Sequence, residues 1–307
     1  MINIDASLVK RLINEQFPEW SKLDIRPVKN GGNDNRTFHL GENMSVRLPS
    51  AEAYAPQVEK EQKWLLRLSK ELSLPIPIPL ARGNPSKEYP FPWSVNKWLE
   101  GETLNLKNIN DLSQFAKDLG LFLIELQSID TNGGPLAGKH NFYRGGDIAV
   151  YDQETRQAIE QNKDILNVSL INEIWELGLN SKWAEKPVWV HGDIAPGNIL
   201  VKARKLYAII DFGILGIGDP SCDLAMAWTF FDETSRKVFK NILNIDDGTD
   251  GTWNRARGWA LWKALITYNG NRNFNNMIAE ESYIKLLKQS NMTIKKKNFQ
   301  KNPYQNE

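Results

Sequence analysis

The sequence predicts an α+β chain of two lobes, a small antiparallel sheet with one internal helix followed by a mainly helical part. Residues 23 to 49 break into short strand-like pieces separated by glycine turns. From Asp111 onward, apolar residues recur at helical spacing instead. The length of 307 residues is about twice an ordinary domain of roughly 150, so there is chain enough for both parts.

The first element is an amphipathic helix. Leu8, Val9, Leu12, Ile13 and Phe17 make one stripe, with Asp5 or Ser7 available as a cap. The pieces LDIRPVKN, NRTFHL and MSVRLP then read as antiparallel strands, turning at Gly31-Gly32 and at Gly41-Glu42-Asn43. A helix from Pro56 to Lys70 follows, with Val58, Leu65 and Leu68 on its inner face and Pro56 in the first turn, where proline is tolerated. The alternating prolines of SLPIPIPLARG suit an extended edge piece, and PFPWSVNKWL alternates like a strand that ends at Gly101. Leu112, Phe115, Ala116, Leu119, Phe122, Leu123 and Leu126 define a helix over Asp111 to Ile129. The expected division is a first lobe over 1–97, a joint at 98–101, a helical lobe over 102–290 and a disordered polar tail over 291–307.

Composition narrows the function. Hydrophobic residues at 41% and charged residues at 24% are ordinary globular usage and exclude disordered and disulfide-scaffold classes. A net charge of +1 gives no reason to expect a nucleic acid or an anionic membrane as partner. No run approaches the roughly 20 apolar residues that span a bilayer, and the first residues lack a signal peptide's continuous apolar stretch. The single cysteine, Cys222, cannot close an intrachain disulfide or build a cysteine zinc site, so a reducing compartment, the cytoplasm, is expected. The oligomeric state is not legible.

The chemistry concentrates in residues 186 to 225. Two strand-like runs, Val188–Val190 and Leu206–Ile210, each deliver a carboxylate just past their C-terminal end, Asp193 and Asp211. The hairpin-like NILVKARKLYAII between them would fold Asn198 and Asp211 to one edge. An amide and a carboxylate suit Mg2+, which takes few protein oxygens and leaves places for phosphate and water. Asp193 then stands as the separate carboxylate that a phosphoryl transfer needs to receive a hydroxyl proton.

His191-Gly192-Asp193, four residues, Asn198, and then Asp211-Phe212-Gly213 resemble the catalytic loop and metal motif of the kinase superfamily. Gly192 after the histidine, Gly218-Asp219-Pro220 and Asp223-Leu224-Ala225 resemble the version found in the aminoglycoside phosphotransferase family, which includes macrolide and choline kinases. The resemblance covers about residues 25 to 290 and implies a bilobal protein-kinase-like fold. It implies Asp193 as catalytic base and Asn198 and Asp211 as magnesium ligands, with ATP or GTP as co-substrate. Lys97 and Leu99 fall in the linker that holds the base, and Gly32 and Asn33 in the turn over the phosphates, although that turn read alone is a hairpin. Arg47 stands where most kinases carry the phosphate-reaching lysine, with Glu61 rather than Glu59 as its helix partner; macrolide kinases resemble this chain in using arginine there.

Other residues read as support. His191 ties the loop to the core in preference to moving a proton, Asp219 caps the helix that begins at Pro220, and Asp223 braces the loop. Trp253 and Trp259 are too far round the helix from each other for one stripe, which leaves either as a candidate for the acceptor cleft. Acidic residues outnumber basic ones by four between 101 and 290, so Asp232, Glu233 and Asp247 are candidate contacts to a cationic acceptor. The expected activity is transfer of a nucleotide γ-phosphate to a hydroxyl of an aminoglycoside-like antibiotic. A macrolide phosphotransferase or a housekeeping small-alcohol kinase of choline or homoserine type is the alternative. Only five residues separate Gly213 from Asp219, too few for a protein kinase's activation segment, and no base or metal ligand is lost as in a pseudokinase.

Overall fold

Helix α1 (Ala6–Gln16) begins at Asp5, whose Oδ1 accepts the Leu8 amide at 2.8 Å. The computed structural model of the protein describes residues 3–29, 32, 34–164, 166–245 and 251–267; the tail expected over 291–307 lies outside them. The α1 stripe of Leu8, Val9, Leu12 and Ile13 is buried with Phe38, Leu40, Val46, Leu48, Trp93 and Val95. These partners alternate along three strands of one antiparallel sheet, because successive strand side chains point to opposite faces.

The strands of that sheet are β1 (Ile25–Pro27), β2 (Asn35–Leu40), β3 (Met44–Pro49), β4 (Pro79–Gly83) and β5 (Trp93–Lys97), in the order β1-β2-β3-β5-β4. The proline-bearing β4 is an edge strand, where a missing amide costs no ladder bond. Central β3 sets Arg47 between Thr37 of β2 and Ser94 of β5. Between β3 and β4 runs α2 (Ala55–Leu68), whose buried face carries Val58, Glu61, Leu65 and Leu68.

After the short β6 (Glu102–Thr103), Asp111 caps α3 (Leu112–Ser128) by accepting the amides of Ser113 and Gln114 at 2.8 and 3.0 Å. Two helices follow, α4 (Asp152–Gln161) and α5 (Val168–Leu179). The chain then returns to strands as β7 (Val188–Val190), β8 (Ile199–Lys202), β9 (Lys205–Ile209) and β10 (Gly216–Gly218). Antiparallel pairing gives a β6-β8-β9 sheet and a β10-β7 pair. The last described elements are α6 (Met226–Thr229), α7 (Glu233–Leu243) and α8 (Thr252–Thr267).

The described residues form two compact units. The first takes those up to Gly146 with Glu185–Asp223 and Glu233–Asn244; in it α7 lies on α3, with Phe239 and Ile242 against Gly120. The second takes Asp147–Ala184, Leu224–Asp232 and the described residues from Ile245. Its α8 packs on α4, α5 and α6, and Gly178 of α5 approaches Gly258 of α8 closely. Trp253, Trp259 and Trp262 are all buried there, so neither Trp253 nor Trp259 is the exposed cleft residue that the uneven stripe allows. A helix packed on three others buries every face and has no single stripe. Among the described residues, no helix is long and apolar enough to cross a membrane.

Candidate active site

The β8–β9 hairpin closes through Ala203 and Arg204, both at positive φ, a two-residue turn that matches strand twist. Ile199 faces Ile209 across the ladder, and the Ile210 amide donates to the Asn198 carbonyl at 2.9 Å. Asn198 and Asp211 are thereby fixed at one end of the hairpin. Asp211 itself is left-handed, at φ 65°, a conformation a residue with a Cβ seldom adopts.

The loop after β7 is held from behind by a buried acid. Asp223 accepts the His191 amide at 2.7 Å through Oδ2 and the Gly192 amide at 2.8 Å through Oδ1. Burial pushes the Asp223 carboxyl above its usual range, against the pull of His191 and of these two amides. The Asp193 amide donates to Nδ1 of His191 at 3.1 Å, so the ring proton sits on Nε2, which donates to the Ile210 carbonyl at 3.0 Å. Both ring nitrogens of His191 are thus engaged, and its ring stands edge-on to Phe212 with centroids 4.5 Å apart. Asp219 accepts the Ser221 amide and hydroxyl at 3.0 and 2.7 Å, a cap on the turn that begins at Pro220. In front, Asn198 Nδ2 donates to both the carbonyl and Oδ2 of Asp193, at 2.9 and 3.0 Å.

From the sheet side, Arg47 Nη1 donates to Glu61 Oε1 at 3.0 Å and Nη2 to Asp211 Oδ1 at 2.7 Å. Glu61 is only 5% exposed, whereas Glu59 points away and pairs with Arg82. Burial opposes the charge on Arg47, but Glu61 and Asp211 outweigh it and hold the guanidinium above its ordinary range. Two further residues join the cluster: Asp34, which the sequence places in the turn over the phosphates without a role of its own, and Gln57, which sequence reasoning passed over. The Asp34 carboxyl is pushed up by burial, pulled down by a hydrogen bond with Tyr54 and pushed up again by Asp211 and Asp193, so its field belongs to the same cluster. Gln57 lies against Gly213, where a Cβ would come within 2.5 Å of its Oε1. An acid in a glycine turn and a glutamine one helical turn before Glu61 were the available signals.

The donor chemistry fits a hard divalent cation. Asn198 offers an amide oxygen and Asp211 a carboxylate, while Asp34 and Glu61 add negative charge around Arg47 and Asp193 lies against Asn198. Among the described residues no three His, Cys, Asp or Glu side chains gather to hold a metal. A site with so few protein donors suits Mg2+, which keeps positions for water and phosphate, rather than zinc.

The profile of the phosphotransferase enzyme family, APH, matches residues 24–259. The chain belongs to this family. Its fold is similar to that of aminoglycoside 2'-phosphotransferase-IIIa in a GDP complex, with a TM-score of 0.71 at 18% identity over 94% of this chain and 99% of that one. The GDP and kanamycin complex of APH(2")-IIIa gives 0.70 at 20%, over 92% and 98%. Macrolide 2'-phosphotransferase from Brachybacterium faecium gives 0.58 at 18%, over 92% and 97%. Among curated proteins none matches the chain. The protein-kinase-like α+β fold expected from the motifs is thus the fold of this phosphotransferase.

Within the phosphotransferase, Asp193, Asn198, Asp211, Arg47 and Glu61 are linked by the bonds above. In the linker, the Lys97 amide donates to Ile78 and the Trp98 amide to Asn43, both at 2.8 Å. The carbonyl of Gly32 accepts from Arg36 at 3.1 Å; Asn33 and Asp247 lie outside the described residues. Asp232 is exposed, and Glu233 is exposed and paired with Lys237 at 2.8 Å.

Proposed function

We propose that this phosphotransferase moves the γ-phosphate of ATP or GTP to a hydroxyl of an aminoglycoside-like antibiotic, with Asp193 as base. The observation that carries this reading is the double bond pattern of Asn198 Nδ2 to Asp193. It leaves Asp193 Oδ1 out of that clasp and fixes the carboxylate's plane. A carboxylate held so, and not spent on metal, can orient an acceptor hydroxyl and take its proton.

Arg47 carries its charge into the same cluster, where its remaining N–H groups can meet phosphate oxygens. Asn198 and Asp211 would hold Mg2+, which when bound neutralises charge on the phosphates. The linker at Lys97 to Leu99 is the proposed seat of the base, and the turn at Gly32 and Asn33 the cover over the phosphates. The single buried Cys222 supports a reducing, cytoplasmic setting.

The aminoglycoside assignment is supported by the acid excess of residues 101 to 290, with Asp232, Glu233 and Asp247 as candidate contacts, and by the fold likeness to aminoglycoside phosphotransferases. Arg47 in the lysine position favours a macrolide as the second reading. The test is a panel of aminoglycosides, macrolides and small metabolic alcohols offered with ATP and with GTP, read by product mass. A phosphorylated aminoglycoside supports the first reading and a phosphorylated macrolide the second. A phosphorylated alcohol alone moves the chain to metabolism, and no nucleotide turnover with any of them overturns the reading.

A further inference from the structure

We propose that Gln57 of α2 is a positioning residue for Asp211: its side chain, packed on Gly213, sets the turn that carries the Asp211 carboxylate and with it the affinity of the site for Mg2+. The inference rests on the reading of Asp211 as a metal ligand.

Residues three and four apart on a helix are neighbours, so Gln57, Glu61 and Trp64 make one row along α2. Each meets a different part of the site. Trp64 stands edge-on to Trp189 with centroids 4.9 Å apart, on the strand β7 that leads into the His191 loop. Glu61 accepts from Arg47, which reaches on to Asp211. Gln57, one turn nearer the start of the helix, lies on Gly213. It is only 4% exposed, a polar side chain on a face that otherwise buries Val58, Leu65 and Leu68.

Position 213 does not need glycine for its backbone. Gly213 is not at positive φ, so a residue with a Cβ could hold the same conformation. What excludes a side chain is Gln57. A Cβ added to Gly213 would stand 2.5 Å from Oε1, 2.8 Å from Cδ and 3.4 Å from Cβ of Gln57, and beyond the adjoining residues these are its three nearest atoms. The first two distances are prohibitive, whereas the third is ordinary contact. The Gln57 amide therefore occupies the space of the side chain that position 213 lacks.

Asp211 needs such support. Its φ of 65° costs a residue with a Cβ roughly 1–2 kcal/mol, a conformation that persists only where the surroundings fix it. Before it, the Ile210 amide is held by the Asn198 carbonyl at 2.9 Å and the Ile210 carbonyl by Nε2 of His191 at 3.0 Å. After it, Phe212 packs on the His191 ring and its carbonyl accepts the Leu215 amide at 2.9 Å, with Gly213 inside that turn. Gln57 closes on the turn from α2. The same helix holds Arg47 through Glu61, and Arg47 Nη2 holds Asp211 Oδ1 at 2.7 Å, so α2 fixes the carboxylate at its oxygen and at the backbone two residues on. Without the amide the turn can relax toward α2, and Mg2+, which demands near-ideal octahedral geometry, is held less tightly by a displaced oxygen.

Gln57→Ala, Gly213→Ala and the double variant test this in the full chain, with Asp211→Asn beside them. Calorimetric binding of non-hydrolysable ATP and GTP analogues is measured across Mg2+ concentrations and again with a chelator, together with thermal melting. Gln57→Ala is expected to raise the Mg2+ concentration for half-maximal nucleotide binding by about tenfold, as loss of a group supporting a metal ligand does, with affinity in chelator within about threefold of wild type. Gly213→Ala should raise it too, since its Cβ drives the amide or the turn aside. In the double variant the new Cβ at 213 meets only the Cβ at 57, so the Mg2+ requirement should return to within about threefold of wild type although each single change raises it. A wild-type Mg2+ requirement in Gln57→Ala overturns the proposal, as do single effects that add in the double variant. So does a Mg2+ requirement that shifts only in step with melting temperature and affinity in chelator. If Asp211→Asn keeps the wild-type Mg2+ requirement, or the wild-type chain binds neither analogue, the reading of the metal site fails and this proposal with it.

Discussion

Arg47 Nη2 meets Asp211 Oδ1 at 2.7 Å although the two residues are 164 apart in sequence, and the same guanidinium holds the buried Glu61 at 3.0 Å. One side chain therefore neutralises an acid on the helix and an acid on the hairpin. Arg47→Ala would leave Glu61 buried without its partner, a change that costs about 3–5 kcal/mol in comparable pairs. We predict a melting temperature at least about 6 °C below wild type for Arg47→Ala. The loss should be smaller for Arg47→Lys, and the double variant Arg47→Ala with Glu61→Gln should regain most of it. Thermal melts decide this: an alanine variant as stable as wild type refutes the buried pair.

Glu61 was legible because it falls in phase with Val58, Leu65 and Leu68 on the inner face of α2, whereas Glu59 falls on the outer face. The hairpin that unites Asn198 with Asp211 was legible because strand alternation flanks a short turn. The placing of the Arg144 stem against Gly192 was not: it depends on two left-handed residues, Phe142 and Tyr143, and on a contact across 48 positions, neither of which leaves a periodic signal. The tryptophans of α8 misled for a related reason: the pattern reports how many faces are buried, not which neighbours bury them.

Lys60 Nζ lies 3.2 Å from His140 Nδ1, and burial lowers its pKa from 10.5 to about 8. Between those values the folded chain binds fewer protons than the unfolded one, so stability rises with pH across that window and the full penalty is present below about 8. Lys60→Met keeps the stem and removes the charge. Its melting temperature should exceed that of wild type near pH 7, and the margin should shrink as pH climbs from about 8 toward 10. A margin that stays constant over the titration argues against a buried charge at this position.

Gly218 and Gly197 make a contrasting pair. A Cβ on Gly218 would lie 2.0 Å from the Gly145 carbonyl oxygen, a backbone atom that cannot swing aside, whereas a Cβ on Gly197 meets nothing within 4 Å. Gly218→Ala should yield insoluble protein or a loss of at least about 3 kcal/mol, near the top of the overpacking range. Gly197→Ala should stay within about 1 kcal/mol of wild type. Denaturant unfolding compares them, and equal midpoints would mean that the Gly145–Gly218 approach is not as close as described.

The two loop acids should separate by what they do to binding and to turnover. Asp193→Asn retains an oxygen that can accept from Asn198 Nδ2, so the loop keeps its clasp while the proton acceptor is lost. Turnover should fall by about 100-fold or more with nucleotide affinity nearly unchanged. Asp211→Asn likewise retains an acceptor for Arg47 Nη2 but removes a negative charge from the proposed Mg2+ position. It should weaken nucleotide binding measured with magnesium and leave binding measured with a chelator close to wild type. The roles are independent, so the outcomes are too. Wild-type turnover in Asp193→Asn removes the base assignment and leaves the metal position standing, whereas equal affinity losses for Asp211→Asn with and without magnesium show that its carboxylate acts through Arg47 alone.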